Sequence, residues 1–254
     1  MRFVGALIFL LAFAAGAAAA PSTPEQRVAD LNWLVDQLQK NYAYSHSRHV
    51  DIASIARLYR DDALKAGDDL QWIAVLERII AELYDHHASL NTNTPSSPQL
   101  VPSGADIWGQ VVGGVSTITQ VRAKSVAHRA GVRPGMTVVS IAGEPASKAL
   151  ARWMPRSLTK PDAEAESYAL RVLLAGNHVA QRQFVACAAT SCLPFALAPA
   201  ESWKAEARVA FEIIDGDLGY LRIENSLGDG DTAADVDRAL AALKDAQGLT
   251  ASTT

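Results

Sequence analysis

The hydrophobic period of this chain changes once from helical to strand-like, and this change constrains its fold more than any other feature. Between residues 24 and 87 apolar side chains recur at spacings of three and four, as Leu31, Leu34 and Leu38 do. From residue 107 onward, β-branched residues occur in short runs that are separated by glycines. The first pattern predicts amphipathic helices and the second predicts short strands. We therefore expect an α+β protein.

The helical part is predicted to contain three helices. The first begins at a capping box, in which the side chains of Thr23 and Gln26 each bond the main chain of the other. The second is predicted over residues 50–66 and the third over residues 70–85. Each helix has one apolar stripe to bury, so the three predict a small helical bundle over residues 21–90.

The strand-like part follows a polar stretch, residues 91–103, that is typical of a linker. It is predicted to form a β-rich domain over residues 104–202. The predicted strands are residues 111–112, 115–121, 136–141, 181–187 and 193–197, and the predicted helix is residues 161–175.

The last part of the chain, residues 203–254, is predicted to be the incomplete ββα start of a further domain. Its two strands are joined by a turn at residues 215–217, and a helix begins at Asp231 or Thr232 and stops at Gly248. A hairpin with one helix is marginal as an independent core. We expect no further strand in the polar tail, and we expect the chain to be truncated within this domain.

The N-terminus predicts an exported protein. Residues 1–20 combine Arg2, a short apolar run and a final Ala18-Ala19-Ala20, which is the pattern of a cleaved secretory signal peptide. The alternative is a permanent anchor helix, but the run is short for a span of about 20 apolar residues. We expect a periplasmic or secreted protein without a stable membrane anchor.

Two cysteines, Cys187 and Cys192, lie five positions apart. In an oxidising compartment such a pair forms a disulfide that closes a small loop, and the alternative is two free buried thiols. Zinc is not expected at this pair, because no further Cys or His lies beside it at finger spacing.

Residues 125–143 carry the first family resemblance. The stretch Ser-Val-Ala-His-Arg-Ala-Gly-Val-Arg-Pro-Gly-Met-Thr-Val-Val-Ser-Ile-Ala-Gly resembles the PDZ pattern of a short helix, a tight turn and a strand. Gly131 and Gly135 allow the dihedral angles of such a turn, and Pro134 fixes its own φ. The resemblance implies a PDZ-like domain.

The flanking segments resemble the tail-specific (C-terminal-processing) and tricorn-core-like serine peptidases. The resemblance is carried by Leu-Tyr-Asp-His-His-Ala-Ser-Leu at residues 83–90 and by Leu-Gly-Tyr-Leu-Arg-Ile at residues 218–223. It covers nearly all of residues 25–249. In this family a buried strand and the nucleophilic serine come later in the chain, and no Gly-x-Ser-x-Gly elbow occurs in this sequence.

The resemblance implies one catalytic candidate, His87, as general base to a serine from the catalytic domain. An imidazole titrates near neutral pH and accepts a serine proton when it lies within hydrogen-bond reach. In tail-specific members a Ser/Lys pair does this work instead, and both mechanisms stay open. A metal alternative, with His46 and His49 as a ligand pair, is weaker, and we expect neither a metal nor a cofactor.

The resemblance also places a peptide-binding loop at Gly104, Ala105, Asp106 and Ile107, whose main-chain amides would hold a peptide C-terminus. Asp106 stands where the family has a second glycine, so its charge is expected to weaken the binding of a carboxylate. The alternative is a PDZ-like domain that acts only as a scaffold or lid.

These observations predict a truncated serine-type endopeptidase whose partners are unfolded or C-terminal peptide segments of envelope proteins. The alternative function is a non-catalytic peptide-binding module of the cell envelope. The net charge is −4, and no basic patch interleaved with aromatic residues occurs, so nucleic acid is not an expected partner.

Overall fold

The computed structural model describes residues 21–201, 207–224 and 230–253, and the chain forms two compact units, Met1–Ala200 and Glu201–Thr254. The signal peptide predicted at residues 1–20 lies outside the described residues. In the described part of the chain, no helix has both the length and the apolar character that crossing a bilayer requires.

The first unit begins with the three predicted helices: α1 (Pro24–Asn41), α2 (Ile52–Lys65) and α3 (Asp69–Ala81). The capping box at the start of α1 is confirmed, because Gln26 N donates to Thr23 Oγ1 and Thr23 N donates to Gln26 Oε1. Aspartates at the starts of α2 and α3 accept main-chain hydrogen bonds in the same way. Leu31, Ile55 and Ile79 are fully buried between the helices.

A six-stranded sheet follows, with strand order β1-β2-β3-β5-β6 and β4 paired to β3. All of its pairings are antiparallel. The strands are β1 (Ile107–Val112), β2 (Val115–Val121), β3 (Thr137–Ile141), β4 (Glu144–Pro145), β5 (Arg182–Ala188) and β6 (Ser191–Leu197). The helices between them are α4 (Val126–Arg129), α5 (Ala146–Ala151) and α6 (Ala163–Ala175).

The turn between α4 and β3 uses the glycines that the sequence singled out. Gly131 and Gly135 have φ values of 91° and 87°, a region in which a side chain would be strained. The Gly135 amide donates to the Ile118 carbonyl, which ties this turn to β2.

The helical part and the sheet belong to one compact unit. A buried cluster that includes Ala81, Tyr84, Ala165 and Tyr168 joins the end of α3 to the face of α6. The helices therefore pack against the element that covers the sheet.

A disulfide joins Cys187 and Cys192, as predicted. The two cysteines are direct cross-strand partners in the β5–β6 hairpin. Because the closed loop is short, the chain-entropy estimate gives the bond about 2 kcal/mol. We expect a reductant to lower the free energy of unfolding by this amount. A Cys187→Ser/Cys192→Ser variant should be insensitive to the reductant in the same urea titration.

The second unit contains β7 (Val209–Ile214), β8 (Leu218–Ile223), α7 (Gly230–Ala242) and β9 (Gly248–Thr253). The predicted hairpin is confirmed, and Asp215 and Gly216 at its turn both have positive φ. The expectation of no strand after the helix is wrong, because β9 pairs parallel to β8. The β-branched threonines of the tail suit a strand, and α7 supplies the crossover that a parallel pair needs.

Candidate functional site

The candidate site is a turn of four residues, 85–88, that follows the end of α3. The Ala88 amide donates to the Asp85 carbonyl and closes the turn. The two histidines inside it occupy different environments: the side chain of His87 is 88% exposed, whereas His86 packs against aromatic rings.

Asp85 holds the ring of His87. Its Oδ1 lies 3.1 Å from His87 Nδ1 and also accepts the His87 amide at 2.9 Å. Its Oδ2 accepts the hydroxyl of Tyr42 at 2.8 Å. The carboxylate therefore fixes the ring from behind and leaves His87 Nε2 facing solvent, which is the arrangement that a general base needs.

Asp85 stays ionised although it is only 3% exposed. Burial raises its pKa, but hydrogen bonds from the His87 amide, the Tyr42 hydroxyl and the His87 ring outweigh that effect and lower the pKa overall. Burial of the phenol raises the pKa of Tyr42, and the same carboxylate raises it further, so the phenol remains a proton donor. A charged Asp85 favours the His87 tautomer that carries its proton on Nδ1.

His86 serves packing rather than proton transfer. Its ring stacks on Tyr168 at 4.6 Å between centroids and lies 5.7 Å from the ring of Trp108. Burial and, to a smaller extent, the nearby guanidinium of Arg171 lower its pKa to about 4. His86 is therefore neutral at physiological pH and anchors the turn to the sheet.

The low pKa of His86 predicts a pH effect on stability. The unfolded chain binds this proton near pH 6.5 and the folded chain only near pH 4, so stability falls as pH drops between these values. We expect wild type to lose about 1–2 kcal/mol more than His86→Phe between pH 7 and pH 5. Urea unfolding at both pH values measures the two free energies. Equal losses in wild type and His86→Phe would contradict a low pKa for His86.

A second carboxylate, Asp162, fixes the residue before the turn. Its Oδ2 accepts the Tyr84 hydroxyl at 2.7 Å and lies 3.0 Å from His49 Nδ1. Tyr84 has a φ of 35°, which is unusual for a non-glycine residue, and its hydroxyl also accepts the His49 amide. These contacts hold a strained main chain in place directly before Asp85.

The weaker sequence candidates lie elsewhere. His49 faces Asp162, and among the described residues no three His, Cys, Asp or Glu side chains gather as a metal site.

The loop at Gly104, Ala105, Asp106 and Ile107 is buried, and Asp106 has a role that the sequence did not suggest. The amides of Gly104 and Ala105 donate to carbonyls of their own loop. Asp106 forms an ion pair with Arg182, whose side chain is 2% exposed, and accepts the Ala127 amide. Its charge therefore faces a buried guanidinium, and the expected repulsion of a peptide carboxylate stays a prediction. Peptide binding by this loop stays a prediction.

Sequence reasoning missed Tyr42, Asp162 and Arg171, which support the turn from distant positions. An aspartate before a predicted helix is a signal for an N-cap, and Asp162 has that role for α6. Its second role, toward Tyr84 and His49, depends on contacts between residues more than 70 positions apart.

Among the comparisons with known proteins, the one with solved structures supports the fold. No family model and no curated protein matches the sequence. Among solved structures, a mutant of CPAF is 14% identical with a TM-score of 0.55, and mature CPAF is 15% identical with a TM-score of 0.52. The photosystem II D1 C-terminal processing protease is 17% identical with a TM-score of 0.42.

The matches cover 90% of this chain for both CPAF structures and 91% for the processing protease. The chain spans only part of their lengths: 56% of the mutant CPAF, 55% of mature CPAF and 60% of the processing protease. Two of these, the CPAF structures, have TM-scores above 0.5. The chain therefore shares the fold of these two structures.

Proposed function

We propose that this chain supplies the general base and the substrate-facing scaffold of a serine-type peptidase. The observation that carries the proposal is the Asp85–His87 pair, an exposed imidazole held by a buried carboxylate at 3.1 Å. Acyl transfer needs such a base within reach of a serine, together with donors for the oxyanion. Among the described residues, the hydrogen-bond partner of the His87 ring is Asp85, so we propose that the nucleophile lies outside them.

We propose further that the sheet of the first unit is a PDZ-like domain. The order β1, β2, α4, β3 and α6 supports this, as does the glycine turn at Gly131 and Gly135. Its ligands would be unfolded or C-terminal peptide segments of envelope proteins. An oxidising, periplasmic or secreted location fits the Cys187–Cys192 disulfide, and the signal peptide at residues 1–20 belongs to the same proposal.

The proposal is tested with a fluorophosphonate probe, which reacts with activated serines. The protein purified from its native cells should be labelled, and the label should be lost in His87→Ala. His46→Ala removes another exposed histidine of the same unit and should leave labelling unchanged. The 254-residue chain produced alone should show no labelling. Equal labelling of the wild type and His87→Ala would overturn the role of His87.

A further inference from the structure

Side chains of helix α6 form hydrogen bonds with the main chain of the edge strand of the sheet. β1 is the edge strand, so main-chain groups of alternate residues face away from β2. Two such groups contact α6: the Val111 amide donates to Ser167 Oγ, and the Gly109 carbonyl accepts from Arg171 Nε, both at 3.0 Å. These are groups to which an added peptide strand would bond.

The close approach depends on a glycine. A Cβ on Gly109 would lie 2.8 Å from a methyl carbon of Leu170, a distance that real side chains do not adopt. Because Gly109 has no side chain, α6 lies directly against β1, and no space for a further strand remains between them.

Arg171 is held in this position by Trp108, Glu164 and the ring of His86, whose Nε2 lies 3.4 Å from Arg171 Nη1. Its side chain is 4% exposed, lies over the Trp108 ring at 4.2 Å and pairs with Glu164 at 2.8 Å. A buried guanidinium without that carboxylate would be costly, so Glu164 keeps Arg171 on the Gly109 carbonyl. The opposite edge strand, β6, contains Pro194, which lacks a main-chain donor.

We propose that Ser167 and Arg171 form a latch that holds α6 against the β1 edge, so that an extended peptide adds to this sheet only after both side chains leave the β1 main chain and α6 moves away from it. The inference rests on the proposed peptide-binding role of this unit and specifies its regulation. It predicts a resting protein that is closed to peptide and opens when the hold of Glu164 on Arg171 weakens.

The direct test measures binding of a fluorescein-labelled peptide of alternating valine and threonine, flanked by lysines, by fluorescence anisotropy. Ser167→Ala/Arg171→Ala should bind it about tenfold or more tightly than wild type, since α6 is then held less firmly against β1 and two edge groups become free. An analogue that is N-methylated at alternate residues cannot pair with the edge and should not show this gain. Equal affinities of the wild type and the double variant, including no binding by either, would overturn the latch.

A milder pair of variants controls for unfolding. Glu164→Gln removes the partner of Arg171 from a half-exposed position and should give a smaller gain in affinity. Glu166→Gln removes the same charge from the same helix turn and should leave affinity unchanged. An equal gain in both variants would mean that helix charge, and not the latch, controls binding.

Hydrogen exchange tests the latch on the unaltered protein, independently of any ligand or activity. The Val111 amide should be protected in wild type although it lies on an edge strand, and Ser167→Ala should speed its exchange by about tenfold or more. Fast exchange of this amide in wild type would overturn the latch and leave the proposed role of His87 untouched.

Discussion

Replacing Asp106 by alanine should lower the free energy of unfolding by about 3–5 kcal/mol, the largest stability effect that we expect from one substitution. The reason is the guanidinium of Arg182, which is 2% exposed and would lose its counter-charge inside the unit. The Ala127 amide would also lose its acceptor at 3.0 Å. Urea unfolding followed by circular dichroism measures the loss.

The matched control is Asp61→Asn. Asp61 also pairs with a basic residue, Lys65, but both side chains are more than three-quarters exposed, at 79% and 78%. An exposed pair contributes little, so this variant should change the free energy of unfolding by less than about 1 kcal/mol. If the free energy of unfolding falls equally in both variants, the buried Asp106–Arg182 ion pair does not stabilise the fold more than an exposed pair does.

The same pair predicts a response to acid. Burial raises the pKa of Asp106, but the hydrogen bonds and charge of Arg182 outweigh burial and lower the pKa below its usual value. A carboxyl with a lowered folded pKa stabilises the protein above the unfolded pKa of about 4, and this contribution is lost as pH falls further. Asp106→Asn should therefore show a flatter loss of stability below pH 4 than wild type does.

Elements whose local pattern agrees with their tertiary setting could be predicted from the sequence. The capping box at Thr23 and Gln26 fixed the start of α1, and the turn at Asp215 and Gly216 fixed the β7–β8 hairpin. These signals are local, because the groups that satisfy one another lie within a few residues. The short α5, whose N-cap side chain makes no hydrogen bond, had no such signal.

The polar tail shows the limit of that approach. Residues 249–254 lack the apolar character of a buried strand, yet β9 forms by pairing with β8, which precedes it by some 30 residues. Parallel pairing is decided by a distant partner and a crossover helix, and neither is visible in a short window. The ion pair of Asp106 could not be predicted for a related reason, since Arg182 lies 76 positions away.

Part of the candidate site could be predicted from the sequence, and part of it required the structure. His87 was found from a family pattern, and its neighbour Asp85 was noted beside it. The separation of His86 from His87 required the structure, because only the rings of Tyr168 and Trp108 distinguish the buried imidazole from the exposed one. Sequence spacing predicts that two adjacent side chains point in different directions, but it does not predict which of them is exposed to solvent.

Asp85→Asn should reduce the activity of the protein purified from its native cells by about 10²–10⁴-fold, close to the loss expected for His87→Ala. The asparagine amide is uncharged and has one acceptor oxygen, whereas the Asp85 carboxylate accepts at both of its oxygens. The His87 ring therefore loses the charge that sets its tautomer and stabilises its imidazolium form. Tyr42→Phe removes one neutral donor to Asp85 and should cost less than about tenfold. The rate of fluorophosphonate labelling measures all three variants.

A second measurement separates positioning from simple unfolding. In nitrogen NMR spectra of the 254-residue chain, the His87 ring should carry its proton on Nδ1, since that atom lies 3.1 Å from an ionised carboxylate. Asp85→Asn should shift the ring toward a mixture of tautomers, while the ring of the exposed His46 stays unchanged. A wild-type ring protonated mainly on Nε2 would contradict the role of Asp85, because Nε2 must be free to accept a serine proton.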